Sequence, residues 1–441
     1  MTPLEVSHAG LDLWDRATDI IPGGNMLLSK NKNLFSPGSW PCYYSKAKNA
    51  SVWDLEGTEY LDFTTNGVGA CSLGHAYDPV DEAVYQTIKN GVMSSLNAPV
   101  EVELAEMLLN LNPWASMVRF ARTGGEANAI AIRIARAFTG RDKVIICGYH
   151  GWHDWYLAAN LASTQNLDNH LLEGLNPAGV PKGLAGTVIP MNFNDFGELD
   201  FIEKSSDIAA IKIEVARSRK SDPKYLKALR EICTRKGIVL IFDECTSGFR
   251  ESYGGIFNLF GVYPDVTMYG KALGNGYAIT AVVGVREVMQ SATESFISST
   301  FWTEAIGPTA ACATLREMKR HESWKKLPKI GSSVKSVWLE ASAEFKLPIK
   351  VEGIDALPTF TFLVADSLAY KTLFTEKMLE LGFLASTAFY PSIAHTQDLV
   401  DLYKQGVFKV FEFLADIFHS SSQPSLFLSG ARCSPTFKRL T

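Results

Sequence analysis

Between about residues 115 and 310 the chain alternates short apolar runs with stretches of helical periodicity, and this alternation restricts its fold more than any other feature. The runs are Met117 to Ala121, Val144 to Cys147, Ala209 to Ile213, Ile238 to Phe242, Val266 to Tyr269 and Ile279 to Val283. Strands apolar on both faces, each followed by a helix, are the pattern of an α/β domain whose mainly parallel sheet is covered on both sides. One unit is marked at both ends: Asp222-Pro223 opens a helix carrying Leu226, Leu229 and Ile232, and Lys236-Gly237 closes it before the next strand.

The flanks follow other rules. Leu11 to Ile21 reads as a helix closed by Pro22-Gly23-Gly24, and Asn25 to Ser45 as an irregular arm. Residues 50–54 and 60–63 read as a hairpin, after which Val80, Val84 and Ile88, then Leu104, Leu108 and Leu111, recur at helical spacing. Beyond about residue 305 come helix, short strands (Thr359 to Val364, Phe383-Leu384) and a long helix from Leu399 to Phe418 capped by Thr396. In the tail, Leu426-Phe427-Leu428 and Phe437 are expected to pack. The division expected is a helix, arm and small sheet over 1–65, a large α/β domain over 66–310, and a smaller α+β domain over 311–441.

With 441 residues, 46% of them hydrophobic, there is enough apolar material for such a core, and a net charge of −5 offers no polycationic surface for nucleic acid or anionic membrane. The seven cysteines are scattered, with no CxxC or Cys/His ligand cluster, which fits a reducing cytoplasm without disulfides or a structural zinc. Residues Met1 to Gly10 carry no leader pattern, and no run approaches the roughly 18 apolar residues of a membrane span. Gly67-Val68-Gly69 lacks the third glycine of a dinucleotide fingerprint.

In an open α/β sheet, ligands collect beyond the carboxyl ends of the strands, so the residues just past each run carry the functional reading. Thr123-Gly124-Gly125-Glu126 opens a helix, where exposed backbone N–H groups suit a phosphate; the same residues would also make a plain glycine turn. Gly148-Tyr149-His150-Gly151-Trp152-His153-Asp154 concentrates aromatic rings that could stack on a planar ligand; the alternatives are a His150/His153/Asp154 metal site and ordinary loop packing. Asp243 follows an apolar run and needs a cationic or hydrogen-bonding partner, either as a structural pair or as part of a site. Lys271 sits on a loop among Gly270, Gly274 and Gly276, a displayed amine or a solvated turn. A phosphate cradle, an aromatic stacker, a buried carboxylate and a displayed lysine together meet the needs of pyridoxal 5′-phosphate. In that reading the lysine forms the Schiff base and moves the proton, and Asp243 holds the ring nitrogen protonated.

In its motifs the chain resembles the class III, fold-type I pyridoxal-phosphate aminotransferases, and among them the glutamate-1-semialdehyde 2,1-aminomutase group. The residues carrying this resemblance are Ile21-Pro22-Gly23-Gly24, Trp53-Asp54-Leu55-Glu56-Gly57, Leu73-Gly74-His75-Ala76, Gly124-Gly125-Glu126-Ala127-Asn128, Tyr149-His150-Gly151, Phe242-Asp243-Glu244 through Gly248-Phe249-Arg250, Gly270-Lys271 through Gly276, and Ala394-His395-Thr396. The resemblance implies a large domain with a mainly parallel seven-stranded sheet and a smaller α+β domain built from the C-terminal part and the N-terminal arm. It implies Lys271 and Asp243 as catalytic residues, with Gly124, Gly125, Tyr149, His150, Glu214 and Thr300 also around the cofactor and no metal. Thr300 would reach the phosphate from a partner subunit, making a homodimer. Lys30 and Trp152 are the expected substrate contacts. Lys30 stands where the aminomutases have an arginine, and Ser386-Thr387-Ala388-Phe389-Tyr390 is shortened and lacks their glutamate. A lysine is a point charge without the bidentate fork of arginine. The expected activity is therefore transfer from an amino donor to an aldehyde or keto acceptor other than glutamate semialdehyde. The alternatives are an intramolecular aminomutase and a non-catalytic binding or regulatory protein on the same fold.

Overall fold

The computed structural model describes residues 8–163, 165–168 and 174–434. The chain divides into two units, one of residues 1–77 with 326–441 and one of 78–325.

In the first unit a four-stranded sheet has the order β1 (Tyr44–Lys48), β2 (Ser51–Asp54), β3 (Glu59–Phe63) and β13 (Phe383–Ala385). The first three strands are antiparallel, as the expected hairpin requires, and β13 joins parallel to β3 with Phe383 opposite Leu61. Strand β1 begins inside the segment read as irregular; its residues are half-buried or exposed and lack the apolar alternation that marks a strand. The helix Gln397–His419 starts at Thr396, whose hydroxyl accepts from the Leu399 N–H, as expected. It places Tyr403, Val407 and Phe411 against Phe63, Phe360 and Phe374 in a core rich in stacked and edge-on aromatic pairs. In the tail Phe427 meets Phe413 edge-on and Leu428 joins this core, whereas Leu426 is exposed; Phe437 lies outside the described residues.

In the second unit the apolar runs form β4 (Met117–Ala121), β5 (Lys143–Cys147), β7 (Ile208–Ile213), β8 (Val239–Glu244), β9 (Val266–Tyr269) and β10 (Thr280–Gly284), joined by the short β6 (Val188–Pro190). They make one seven-stranded sheet in the order β4-β10-β9-β8-β7-β5-β6. Strand β10 runs antiparallel to both its neighbours and the other pairings are parallel. Since β4 and β9 flank β10, both point the same way as the parallel block, and six of the seven strands end on one edge. Strand β6 is three residues long and ends in Pro190, which cannot donate to a ladder, so it sits at the edge and carries too little pattern to be read from sequence. The helix Gly124–Thr139 lays Ile130, Ile134 and Ala131 on Val144, Ile146, Ile241 and Met268. Each such buried aliphatic side chain stabilises by about 1.5–3 kcal/mol, enough to hold the strand ends as a fixed platform. Strand β11 (Ile349–Glu352) pairs with β12 (Thr359–Phe362) in a separate two-stranded sheet of the first unit. None of the described helices is long and apolar enough to cross a membrane, and all seven cysteines are free.

Candidate active site

Four adjacent strands of the second unit, β5, β7, β8 and β9, deliver His150, Glu214, Asp243 and Lys271 to the same edge of the sheet. Asp243 is the penultimate residue of β8, buried, with Met268 of β9 opposite it. Its Oδ2 accepts from His150 Nδ1 at 2.8 Å and Oδ1 accepts from the Cys245 backbone N–H at 3.1 Å. A third partner is Lys212, in the middle of β7, whose Nζ is 3.2 Å from the same Oδ2. Burial by itself would raise the Asp243 carboxyl, but the Lys212 charge and the His150 hydrogen bond hold it well below the usual carboxylate range. The next residue, Glu244, points to the other face of the strand and accepts from the Ile256 and Phe257 backbone N–H groups and the Ser247 hydroxyl. Burial pushes its carboxyl up to about 8 despite those bonds. Two consecutive carboxyls thus differ in protonation because only one faces a cation.

Lys271 follows β9 in a tight 3-10 turn, Lys271–Gly274, with its own φ at 43°, a left-handed conformation unusual for a lysine. Gly270 before it is closely packed, since a Cβ there would stand 3.1 Å from the Thr280 methyl, which would have to give way by a few tenths of an ångström. The turn directs Nζ inward, where it donates to Thr246 Oγ1 at 2.6 Å. Burial first, then the nearby Arg217 charge, lower the ammonium to about 8. At pH 7 roughly a tenth of Lys271 is then the free amine, the form needed for nucleophilic attack and far more than an ordinary lysine supplies.

Glu214 accepts the Tyr149 backbone N–H at 3.0 Å and pairs with Arg217 at 3.1 Å. That bond fixes the loop after β5: Gly148 has φ +116° and a Cβ there would fall 2.7 Å from Glu214 Oε2, so only glycine lets the carboxylate approach. Tyr149 rests edge-on against the buried Tyr156. His150 is buried with Nδ1 committed to Asp243, and burial lowers its basicity, so its ring is neutral and Nε2 is left without a partner among the described residues. His153 stacks on the exposed Trp152 at 4.6 Å.

At the end of β4, Thr123 caps the helix Gly124–Thr139 in a capping box with Glu126. A side chain at position 125 would run into the His153 ring at 2.6 Å, and one at 151 would stand 3.2 Å from the Gly125 Cα. Backbone therefore approaches backbone at a helix N-terminus, a built cradle for an anion. Two expected residues stand outside this network. Thr300 is exposed on the 3-10 turn Thr300–Thr303, and Lys30 is exposed at the end of the turn Leu28–Lys30, in the first unit. Lys212, Thr246 and Arg217 were not singled out from the sequence. For Lys212 the signal was present, a lysine between Ile211 and Ile213 in a strand that is buried throughout.

The donor set fits pyridoxal phosphate: a buried ionised carboxylate, an amine with lowered basicity one strand away, an orphaned imidazole nitrogen and a glycine cradle at a 16-residue helix. Among the described residues no group of three or more His, Cys, Asp or Glu side chains is placed to hold a metal.

Comparison with known proteins points the same way. The model of the family described as Aminotransferase class-III matches residues 35–396. The chain is 34% identical to the 3-aminobutyryl-CoA aminotransferase of Cloacimonas acidaminovorans, over 84% of this chain and 87% of that protein. It is 31% identical to the glutamate-1-semialdehyde 2,1-aminomutase of Desulforamulus reducens, over 92% and 98%. Among solved structures, the FumI protein of Sphingopyxis sp. MTA144 superposes with a TM-score of 0.85 at 24% identity, covering 96% of this chain and 100% of that one, a likeness of fold.

Proposed function

The chain belongs to the class-III aminotransferases, enzymes dependent on pyridoxal phosphate, and from that premise we propose that Lys271 and Asp243 carry an amino transfer between an external donor and an aldehyde or keto acceptor other than glutamate semialdehyde. The observation that carries the residue assignment is a half-buried amine of lowered basicity just past β9 together with a buried ionised carboxylate near the end of the neighbouring strand β8.

When bound, pyridoxal phosphate supplies an aldehyde for amines and an electron-poor ring that accepts the electron pair left at the substrate carbon. Lys271 Nζ holds the cofactor and, once released, moves the proton between the two carbons that exchange it. Asp243 keeps the ring nitrogen protonated, and His150, donating from Nδ1, fixes the carboxylate plane. The Gly124 and Gly125 N–H groups take the phosphate, with the helix dipole behind them. Tyr149, tethered through Glu214, covers the ring, and the exposed Trp152 stands at the substrate side.

A homodimer belongs to this reading, with Thr300 of each chain serving its partner's phosphate. Phe296 and Phe301 on either side of Thr300 are 85% and 68% exposed, apolar surface of the kind a subunit interface covers. The seven free cysteines accord with a cytoplasmic location.

External transfer is favoured over intramolecular exchange because Lys30 replaces the arginine of the aminomutases and residues 386–390 lack their glutamate. The 31% identity to an aminomutase over nearly its whole length keeps that second reading in view. Following amino transfer in mixtures of the protein with donor and acceptor, each omitted in turn, separates the two. Turnover of one substrate with no donor requirement overturns the transferase reading, and no turnover with any pair, on a protein that takes up the cofactor, supports a binding role.

A further inference from the structure

Lys212 has no place in the roles assigned above, yet it is completely buried in a strand whose other five residues are also buried. A lysine in such a strand is strongly disfavoured unless its charge is met, because desolvation costs several kcal/mol per ion. What meets it is Asp243 Oδ2 at 3.2 Å, with the thioether of Met268, a weak acceptor, at 2.8 Å. The register explains the contact. Lys212 lies opposite Ile241, so it shares a face of the sheet with Asp243 two residues on, and with Met268 opposite that aspartate.

Burial lowers the Lys212 ammonium below its ordinary range and the Asp243 charge pulls the other way, and the other groups around the pair leave this lysine as the counter-cation in contact with the carboxylate. His150, bonded to the same oxygen, is neutral. Burial holds the Cys245 thiol protonated, Glu214 is paired with Arg217, and Lys271 is bonded to Thr246. The Asp243 carboxylate is thus compensated before any cofactor arrives. A protonated ring nitrogen then becomes the second cation on one carboxylate.

We propose that Lys212 is a positioning residue: it holds Asp243 ionised and oriented in the free protein, and by sharing that carboxylate it weakens the hold on the protonated cofactor ring. This rests on the reading of Asp243 as the partner of the ring nitrogen. The consequence is opposite in sign to that of an ordinary structural residue. Removing Lys212 destabilises the cofactor-free protein, because a buried carboxylate loses the cation in contact with it, and tightens cofactor binding, because the ring no longer shares that carboxylate oxygen with a lysine.

The test uses Lys212→Met, which preserves length and apolar volume. Melting of the cofactor-free proteins and equilibrium titration with pyridoxal phosphate are measured for the wild type and the variant. The titration is repeated with 1-deazapyridoxal phosphate, which carries carbon in place of the ring nitrogen. The expected result is a lower melting temperature without cofactor and a dissociation constant lowered on the order of tenfold, with that gain disappearing for the deaza analogue. An unchanged or weakened affinity, or an equal gain with the analogue, overturns the proposal. Wild-type protein that binds no pyridoxal phosphate overturns the functional reading instead. If Lys212→Met does not fold, the double variant K212M/D243N is compared with D243N. The double variant is expected to melt higher, having lost an unpaired buried ammonium; an equal or lower melting temperature refutes the role.

Discussion

Among the described residues two histidines pair with a buried aspartate, one in each unit, the first half-buried and the second fully buried, and they differ in whether the histidine carries a charge. In the first unit His75 Nε2 lies 3.1 Å from Asp62 Oδ2; in the second His150 Nδ1 lies 2.8 Å from Asp243 Oδ2. Burial lowers both histidines, but for His75 the hydrogen bonds to Asp62 and Cys71, with the Asp62 charge, outweigh it and lift that ring to about 10, so it is a cation. His150, more deeply buried and facing Lys212, stays neutral. The pairwise contact is nearly the same in both places, and its surroundings decide the outcome: Cys71 adds a second partner to His75, whereas deeper burial and the Lys212 charge act against His150. Where the histidine is itself the cation, it balances the carboxylate directly. Where a lysine supplies the charge, the histidine is left to orient the carboxylate, with one imidazole nitrogen unpartnered among the described residues.

The largest effect that would break this contrast is on turnover. Lys271→Ala is expected to abolish amino transfer and Asp243→Ala to lower its rate by several orders of magnitude. Asp62→Ala should leave the rate of the folded protein within about threefold of wild type. Steady-state kinetics on folded variants check this, and a near-normal rate in Asp243→Ala would make the two pairs equivalent.

Next in size is stability. Asp62→Ala leaves a half-buried imidazolium without its carboxylate and is expected to lower the unfolding free energy by about 3 kcal/mol, read from denaturant titration. The pH dependence sharpens the same point. His75 is raised above its ordinary value of 6.5 to about 10, so its contribution is fully present below 6.5 and is lost as pH rises toward 10. His150 is shifted the other way, and its contribution is lost as pH falls below that ordinary value. The melting temperature is therefore expected to fall between pH 7 and 10 more steeply in the wild type than in His75→Gln; parallel curves would remove the charge from His75.

The smallest expected effect concerns the glycine before His75. Gly74 has φ +107°, and a Cβ would press on the Asn49 backbone at 3.3 Å, so Gly74→Ala is expected to cost about 1–2 kcal/mol in thermal or denaturant unfolding.

The sequence was most readable where one rule acted alone. The buried strands announced themselves by length and apolarity, and the helix 223–236 by Asp222 and Gly237, which the structure shows as its N-cap and left-handed C-cap. Strands β1, β6 and β11 carried too few buried positions to stand out. At the site, Asp243, Lys271 and the Gly124-Gly125 turn were legible because they interrupt or end a pattern. Lys212 interrupts a pattern as plainly, but its meaning depends on which strand lies beside β7, and that is a fact of topology. Thr246 and Arg217 are ordinary loop residues in sequence and gain importance only through what the fold sets beside them.

One feature of the first unit governs how the chain is assembled in time. Strand β3 ends at Phe63 and takes its parallel neighbour from β13, which begins at Phe383. On the ribosome the hairpin of β2 and β3 emerges with one edge open and must wait while all of residues 78–325 are made. The seven-stranded sheet and its site can be complete before that edge is closed. The growing chain therefore passes through a long interval with an unpaired strand whose Phe63 later becomes core, the stage at which a chaperone, or a neighbouring nascent chain, has the most to bind.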